Sequence, residues 1–395
     1  MHAAIKFIKY IILGSILNLV ILLIVAVNVY GVEIISHNRY PSLGSLNMIS
    51  STIWNGYILI IYEYVADYNA GYLMHSNLKA VLIDPISGRI YKNITIDNQG
   101  RVGSYPSLLQ LPDGRIAVSY YDLTNDNLKI AISNSNSDID DWHVSTIDRK
   151  GDVGRWNSLA IIGGRLAVAY ADDSETNLEE GVVKSRLKYA INSKYDGSGS
   201  WNYISLDEVG EIEAMDIKLV NLKDRPAIFY VDKDTKTLRV AVSRSIDGSS
   251  GWNIYTVDSE KGSGGGVSLT TRNNDKLVLS CFNYENKYLK FAEQIEELNK
   301  WKVNEIDIAG YICYNTYITH NKDSLIIAYH DRENQSVKLA ISKNNNQVDR
   351  EWQIISVFDD NEGIEAEIIS QKEYIYLVFV DTTDWNLHII KLKLS

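Results

Sequence analysis

The feature that most constrains this chain is a unit of about fifty residues that recurs to its end. The clearest copy starts at Ser107 and reads SLLQLPDGRIAVSYYDLTNDNLKIAIS, followed by a polar turn and WHVSTID. Each copy holds four short runs in which apolar and polar side chains alternate, separated by Gly, Asn, Asp and Ser, as in hairpin-linked β-strands. Four strands in a unit of this length are typical of a propeller blade, whereas a parallel β-helix has much shorter repeats. The sequence therefore predicts an all-β fold.

Several positions recur in register. An acidic or amide residue ends one run, an aliphatic residue opens the next, and a large aromatic residue begins the last run, which usually ends in Asp. The acidic or amide positions are Glu63, Asp122, Asp172, Asp232, Asn283, Asp331 and Asp381. The aromatic positions are Tyr91, Trp142, Trp201, Trp252, Trp301 and Trp352.

The chain ends indicate how the repeat closes. The last copy stops after its third run, while residues 32–38, VEIISHN, resemble the outer run WQIISVF of the copy before it. An unpaired sheet edge is a liability, so we expect the N-terminal strand to complete the last blade. The prediction is a seven-bladed β-propeller, with four antiparallel strands per blade, that occupies residues 32–395.

Residues 1–31 are predicted to form one transmembrane or signal helix. Residues 10–30 carry no charge and are long enough to cross a bilayer, and Lys6 and Lys9 precede them. Because basic residues tend to remain cytoplasmic, the propeller would lie outside the cell membrane. A membrane anchor and a cleaved signal peptide both remain open, since small residues before residue 32 could serve as a cleavage site.

Charge and composition exclude several classes of function. The formal net charge of -11 argues against sequence-independent binding of nucleic acid, which needs clustered basic residues. The two cysteines, Cys281 and Cys313, allow one disulfide or two buried thiols, but no disulfide framework and no zinc site by themselves. No motif of a metal, nucleotide or serine-hydrolase site occurs, so the sequence assigns no catalytic residue, cofactor or metal.

The turns before two of the recurrent aromatic residues resemble degenerate Asp boxes. They read DGSGSW, ending at Trp201, and SIDGSSGW, ending at Trp252. The wider pattern, SYYD followed by NLKIA, is similar to repeats of secreted prokaryotic propeller proteins of sialidase-like architecture. This resemblance covers nearly all of residues 32–395 and implies the architecture. In that family Asp boxes are structural turns on the face away from the ligand, which implies a folding role for Asp247 and Trp252.

The opposite face, called here the upper face, is where the first run of each unit begins and the second run ends. Here the sequence predicts a ligand-binding surface. Its candidate residues are Tyr40, Tyr105, Arg155, Trp156 and Tyr314 between units, and the ring of Asp122, Asp172, Asp232, Asp331 and Asp381. For the acidic ring the alternative is structural, because an Asp at a strand end often accepts hydrogen bonds from its own turn. For the aromatic residues the alternative is that they fill the central channel.

The leading functional prediction is an exported surface protein that binds a glycan or a protein partner by adhesion, in a cell envelope or on a virion. Aromatic residues such as Tyr105 and Trp156 would supply the contact surface. A secreted glycoside hydrolase or lyase of sialidase-like architecture is the first alternative. Against sialidase activity, the few arginines near the upper face do not define a carboxylate-binding trio. A structural envelope subunit is the second alternative.

Overall fold

The structure is a computed structural model that describes residues 28–29, 32–69, 72–177, 179–180, 182–213, 215–272, 276–295, 299–308, 312–343, 351–359, 363–381 and 385–394. Apart from β1 (Asn28–Val29), the predicted anchor or signal segment lies outside these residues. Within the described ranges, we find no helix with the length and apolar character needed to cross a membrane.

The described strands form seven antiparallel sheets, numbered here 1 to 7 along the chain. Six of them have four strands, and sheet 7 has β1 as a fifth strand at its edge. The first strands are β3 (Leu46–Trp54), β7 (Val102–Gln110), β11 (Val153–Ile162), β15 (Lys218–Leu222), β19 (Ser263–Arg272), β23 (Ile312–Asn321) and β27 (Gly363–Gln371). The second strands are β4 (Tyr57–Asn69), β8 (Ile116–Asp122), β12 (Arg165–Asp172), β16 (Arg225–Val231), β20 (Lys276–Asn283), β24 (Ser324–Asp331) and β28 (Tyr374–Asp381).

The outer half of each sheet continues the same order. The third strands are β5 (Tyr72–Ile83), β9 (Asn127–Ser133), β13 (Arg186–Asn192), β17 (Leu238–Ser243), β21 (Tyr288–Gln294), β25 (Ser336–Lys343) and β29 (Asn386–Leu394). The fourth strands are β6 (Ile90–Asp97), β10 (Trp142–Asp148), β14 (Trp201–Ser205), β18 (Trp252–Asp258), β22 (Trp301–Ile308), β26 (Glu351–Asp359) and, in sheet 7, β2 (Val32–Tyr40). Short 3-10 turns follow β2 and β14, at Pro41–Leu43 and Asp207–Val209.

Each first strand contacts the first strand of the next sheet, and β27 contacts β3. The pairing predicted for residues 32–38 is confirmed, because β2 pairs along its length with β29, from Val32 opposite Leu394 to Tyr40 opposite Leu387. The N-terminal strand therefore completes the sheet that the C-terminal strands begin. Apolar side chains from neighbouring sheets bury one another in seven clusters among the described residues.

A polar contact joins several neighbouring sheets. At the end of β10, Asp148 accepts hydrogen bonds from Tyr170 Oη on β12 and Lys188 Nζ on β13, both at 2.7 Å. The same contact joins sheets 1 and 2 through Asp97, Tyr120 and Lys129, and sheets 5 and 6 through Asp307, Tyr329 and Lys338. The recurrent Asp that ends the fourth run is therefore an inter-sheet residue.

The hairpins before the fourth strands close as polar turns. Asp247 Oδ1 accepts hydrogen bonds from Ser249 N at 3.0 Å and from the hydroxyls of Ser245 and Ser249 at 2.7 Å. These bonds lower the pKa of the Asp247 carboxyl to about 2. Trp252 is buried against Tyr189, with ring centroids 5.6 Å apart. Asp247 thus caps its own turn, and Trp252 packs against the neighbouring sheet. Cys281 is a buried free thiol, whereas the side chain of Cys313 lies outside the described part.

Candidate functional site

The candidate site lies on the upper face, where β7 and β11 begin. Both strands have register shifts near their start, between Ser104 and Ser107 and between Arg155 and Ser158. In each shift an aromatic residue takes a positive φ, 55° at Tyr105 and 54° at Trp156. A bulky residue in this region costs about 1–3 kcal/mol and persists only where its surroundings enforce it. The two half-buried rings lie together, with centroids 4.5 Å apart.

The backbone around Trp156 is held by a glycine and an amide. Gly154 has a φ of 115°, and a Cβ there would lie 2.8 Å from Leu128 Cα on the neighbouring sheet. Asn157 Nδ2 donates to the carbonyl oxygens of Tyr105 and Gly154 at 2.9 and 3.0 Å. Close packing of sheet 3 against sheet 2 therefore fixes where both aromatic rings stand.

Beside the aromatic pair, two carboxyl groups converge on one phenol. The hydroxyl oxygen of Tyr121 lies 2.7 Å from Asp126 Oδ1 and 2.7 Å from Asp152 Oδ1. Asp126 belongs to the exposed hairpin between β8 and β9, and its carbonyl accepts the N–H of Val153 at 3.1 Å. This bond joins the hairpin of sheet 2 to the start of sheet 3, which is why two acids from different units meet.

The phenol of Tyr121 has one proton to share between the two carboxyl groups. A phenol donates one hydrogen bond and accepts two. The Tyr121 hydroxyl already accepts from Arg155 Nη2 at 3.0 Å, so a full hydrogen bond to each carboxyl group would require one of the two groups to be protonated. Burial raises the pKa of the Asp152 carboxyl, while the hydrogen bond from Tyr121 and the charge of Arg155 act in the opposite direction. Burial therefore favours retention of a proton on Asp152.

Arg155 binds the remaining acid of the site. Its Nη1 atom lies 2.9 Å from Asp152 Oδ2 and 2.9 Å from Asp173 Oδ2, and its guanidinium lies 4.8 Å from the ring centroid of Tyr121. Asp173 also accepts a short hydrogen bond from Ser185 Oγ, which ties in the long hairpin of sheet 3. We call the following set the mouth cluster: Tyr105, Tyr121, Asp126, Asp152, Arg155, Trp156 and Asp173.

The structure brings together three of the predicted ligand residues, Tyr105, Arg155 and Trp156, in this cluster. Tyr40 is buried between sheets 7 and 1, where its hydroxyl donates to the carbonyl of Gly88 at 3.0 Å. The side chain of Tyr314 lies outside the described part of the chain, so its role stays a prediction.

The predicted ring of acidic residues is occupied by contacts within the protein. Asp122 Oδ1 accepts the backbone N–H groups of Thr124 and Asn125 at 3.0 and 3.1 Å. Asp172 accepts that of Ser174 at 3.1 Å. Through these bonds the two acids cap their own turns, which was the structural alternative to ligand binding.

Asp331 and Asp232 follow the same pattern. Asp331 accepts the N–H of Asn334 at 3.1 Å and lies 2.5 Å from Lys338 Nζ. Asp232 accepts the N–H of Thr235 at 2.8 Å, with Arg239 Nη1 3.3 Å away. Asp381 is buried at the end of β28.

Sequence reasoning missed Tyr121, Asp126, Asp152 and Asp173. One signal was present, since the position of Tyr121 is Ala171 in the next copy and Val231 in the one after it. This signal is not specific, because the copy in sheet 6 places His330 at the same position. In the described part of the chain, the mouth cluster included, no group of three or more His, Cys, Asp or Glu residues is placed to hold a metal ion.

No protein-family model and no curated protein matches the sequence. Among solved structures, the polysaccharide lyase Uly1 matches with a TM-score of 0.50 and 11% identity, over 88% of this chain and 90% of the lyase. The NanB sialidase from Streptococcus pneumoniae gives a TM-score of 0.49 and 11% identity, over 90% of this chain and 69% of the sialidase. The α-L-arabinanase of Penicillium chrysogenum gives a TM-score of 0.47 and 12% identity, over 74% of this chain and 93% of the arabinanase.

The sheet topology and the match to Uly1 define an all-β chain with a propeller-type fold. The matched structures also require a correction. Our leading prediction of a surface adhesion protein is wrong, because Uly1, which matches with a TM-score of 0.50, is a polysaccharide lyase. This match favours the first alternative, a glycoside hydrolase or lyase.

Proposed function

We propose that this protein is a glycoside hydrolase that acts at the mouth cluster with retention of configuration. The observation that carries the proposal is the pair of carboxyl groups held by one phenol, each with an oxygen 2.7 Å from Tyr121 Oη. The nearest oxygens of Asp126 and Asp152 are therefore at most twice that distance apart. Retaining glycosidases place their two carboxyl groups about 5–5.5 Å apart, whereas inverting enzymes separate them by about 6.5–9.5 Å to admit a water molecule.

The surroundings of the two acids assign their roles. Asp152, whose pKa is raised by burial, acts as the acid and donates a proton to the glycosidic oxygen as the bond from that oxygen to the anomeric carbon breaks. The carboxylate of Asp126, which is exposed, forms a bond to the anomeric carbon. In the second step Asp152 takes a proton from water, the water oxygen bonds to the anomeric carbon, and Asp126 is released.

The other members of the cluster position these two groups. Tyr121 donates its only proton to Asp126 and so holds the nucleophile beside the acid. Arg155 holds Asp152 and Asp173 at fixed distances. Tyr105 and Trp156 offer adjacent aromatic surfaces on which a sugar ring can stack, which fits a carbohydrate substrate.

We also propose that the seven sheets are seven blades of one propeller, and that residues 1–31 anchor or export it. Because β2 runs from Val32 to Tyr40 toward the upper face, its first residue lies at the opposite end of sheet 7. An anchor attached there would leave the mouth cluster facing away from the membrane. This arrangement suits an enzyme that acts on glycans outside the cell.

A polysaccharide lyase is the second candidate, favoured by the contact between Tyr121 Oη and Arg155 Nη2 at 3.0 Å. A lyase removes the proton beside a uronate carboxylate with a base such as Tyr, while a cation stabilises the charge that develops. Burial raises the pKa of the Tyr121 phenol, and its hydrogen bonds to Asp126 and Asp152 raise it further, which makes it a poor base. We therefore place the hydrolase first.

The test is turnover of a panel of fluorogenic glycosides by the purified full-length chain, followed by NMR of the first anomer released. We expect the retained anomer. Asp126→Asn and Asp152→Asn should each lower turnover by about 10²–10⁴. Asp126→Gly suits the positive φ of 54° at this position and opens space beside the anomeric carbon. Azide should therefore restore turnover in Asp126→Gly and form the glycosyl azide.

Asp234→Asn is the matched control, since Asp234 is an exposed acid in the corresponding hairpin of sheet 4. It should leave turnover unchanged. Release of the inverted anomer, or wild-type turnover by Asp126→Asn, would refute the retaining mechanism. An unsaturated product with ultraviolet absorbance, formed without uptake of water, would establish the lyase instead.

A further inference from the structure

The charges of the mouth cluster restrict which sugar can occupy it. The guanidinium of Arg155 is the one cation of a cluster that has three carboxyl groups; its Nη1 atom lies 2.9 Å from Asp152 and from Asp173, whereas Asp126 contacts Tyr121. Its Nη2 atom donates to Tyr121. A carboxylate on the substrate would have to displace one of these partners, and the cluster would carry an excess of negative charge even with a proton on Asp152. The site therefore opposes carboxylated sugars.

A second observation indicates what the site would attract. The rings of Tyr105 and Trp156 lie 4.5 Å apart at the edge of this negative charge. Burial raises the pKa of the Tyr105 phenol to about 12; the charge of Arg155 lowers this pKa, and the charges of Glu63, Asp173 and Asp152 raise it. Aromatic faces attract cations through their quadrupole, and paired aromatic rings are a recurrent means of binding ammonium groups. The aromatic faces and the carboxylates would therefore both attract a cationic group on the substrate.

From these two observations we infer that the glycan processed at the mouth cluster carries free ammonium groups, as an unacetylated hexosamine does, and not carboxylates. The inference rests on the proposed function for the identity of the site. It separates this protein from any enzyme that must bind an acidic sugar through an unengaged arginine.

A matched set of tetrasaccharides on one β-1,4-linked glucose backbone provides the test. The set comprises the glucosamine, N-acetylglucosamine, glucose and glucuronate tetramers, and calorimetry on the full-length chain measures their dissociation constants. We expect the glucosamine tetramer to bind at least about tenfold more tightly than the glucose tetramer, which corresponds to about 1.4 kcal/mol. The glucuronate tetramer should bind weakest. Raising the salt concentration should reduce the advantage of the glucosamine tetramer, since exposed charges are screened.

Two variants locate the effect. Asp126→Asn and Asp173→Asn each remove one negative charge from the cluster and should reduce the preference for glucosamine over glucose several-fold. Asp234→Asn makes the same change of net charge on sheet 4 and should not alter the preference. Asp126 lies in an exposed turn, so its variant remains informative if Asp173→Asn fails to fold.

Binding and turnover are measured on the same samples, which separates the two proposals. Glucosamine-selective binding without hydrolysis would remove the proposed hydrolase activity and leave this inference standing. Hydrolysis with equal or tighter binding of the glucuronate tetramer would overturn the inference and leave the hydrolase standing. The inference is also overturned if the glucosamine tetramer does not bind, or if Asp234→Asn changes the preference as much as Asp126→Asn does.

Discussion

Replacing Asp148 by asparagine should destabilise the protein through the contact between sheets 2 and 3. Asp148 is 4% exposed, and its carboxylate accepts hydrogen bonds from Tyr170 Oη and Lys188 Nζ at 2.7 Å. Asparagine keeps the shape and can still accept from Tyr170, but it leaves the buried ammonium of Lys188 without its nearest countercharge. Removing one partner of a buried ion pair costs about 3–5 kcal/mol. Because Asp172 remains 3.4 Å from Lys188, we expect the lower end, about 3 kcal/mol.

The chain contains an aromatic version of this contact, without the Asp and the Lys. Between sheets 6 and 7 the corresponding positions are Phe358, Phe379 and His388, whose ring centroids lie 5.1–5.5 Å apart. A triple variant with Asp148→Leu, Tyr170→Phe and Lys188→Met removes both charges and the hydroxyl together. Replacement of a whole buried ion pair by apolar residues of similar volume is often nearly neutral. The triple variant should therefore cost less than Asp148→Asn alone.

Urea unfolding of the full-length chain, followed by tryptophan fluorescence, measures both variants. Far-UV circular dichroism of the native state checks that each variant has folded. The reasoning fails if Asp148→Asn costs less than about 1 kcal/mol, or if the triple variant is the less stable of the two.

Three further predictions concern single positions. Burial raises the pKa of the Asp216 carboxyl to about 6, so its contribution to stability is complete below about pH 4 and is lost as the pH rises to 6. Urea unfolding should show that wild type loses about 3 kcal/mol of stability relative to Asp216→Asn over this interval. Parallel pH profiles of the two proteins would contradict this prediction. Burial, and secondarily the charge of His388, lowers the pKa of His37 to about 4, so stability should instead be lost as the pH falls from about 6.5 to 4, by about 3 kcal/mol relative to His37→Gln. His143→Gln, at an exposed position, should show no such difference. Gly154→Ala should lower stability by about 1–3 kcal/mol in thermal unfolding, because the φ of this residue is 115° and the added Cβ would meet Leu128. Gly164→Ala is the control and should cost less, since a Cβ there meets nothing within 4 Å. Equal losses in the two variants would refute the steric argument.

The periodic features of this fold could be predicted from the sequence. Hydrophobic alternation and spacing depend on local runs of residues. The amino-acid sequence therefore predicts the strands and the pairing of β2 with β29. The alternative role of Asp122 was also predictable, since its partners lie two and three residues further on. In each case the interacting groups are close in sequence or are related by the repeat.

The mouth cluster could not be predicted in the same way. Asp126 and Asp152 meet because the hairpin of one sheet bonds to the first strand of the next, through Val153 N and the Asp126 carbonyl. That contact depends on how neighbouring sheets pack and not on any run of residues. Tyr40 shows the converse, since a residue expected on the ligand face lies in the apolar cluster between sheets 7 and 1. Sequence spacing does not determine how far such a residue is covered by its neighbours.

The distribution of inter-sheet contacts explains why the site lies where it does. The polar contact of Asp, Tyr and Lys is complete on both sides of sheet 2, through Asp97 and Asp148. Sheet 7, which the N-terminal strand completes, instead packs through aromatic residues such as Phe358 and Tyr40. Catalytic groups must be held within a fraction of an ångström, so they are best placed on elements that cannot shift relative to one another. The acid pair spans the junction of sheets 2 and 3, directly beyond the Asp148 contact, where the directional hydrogen bonds of two charged groups fix the neighbouring sheets in register.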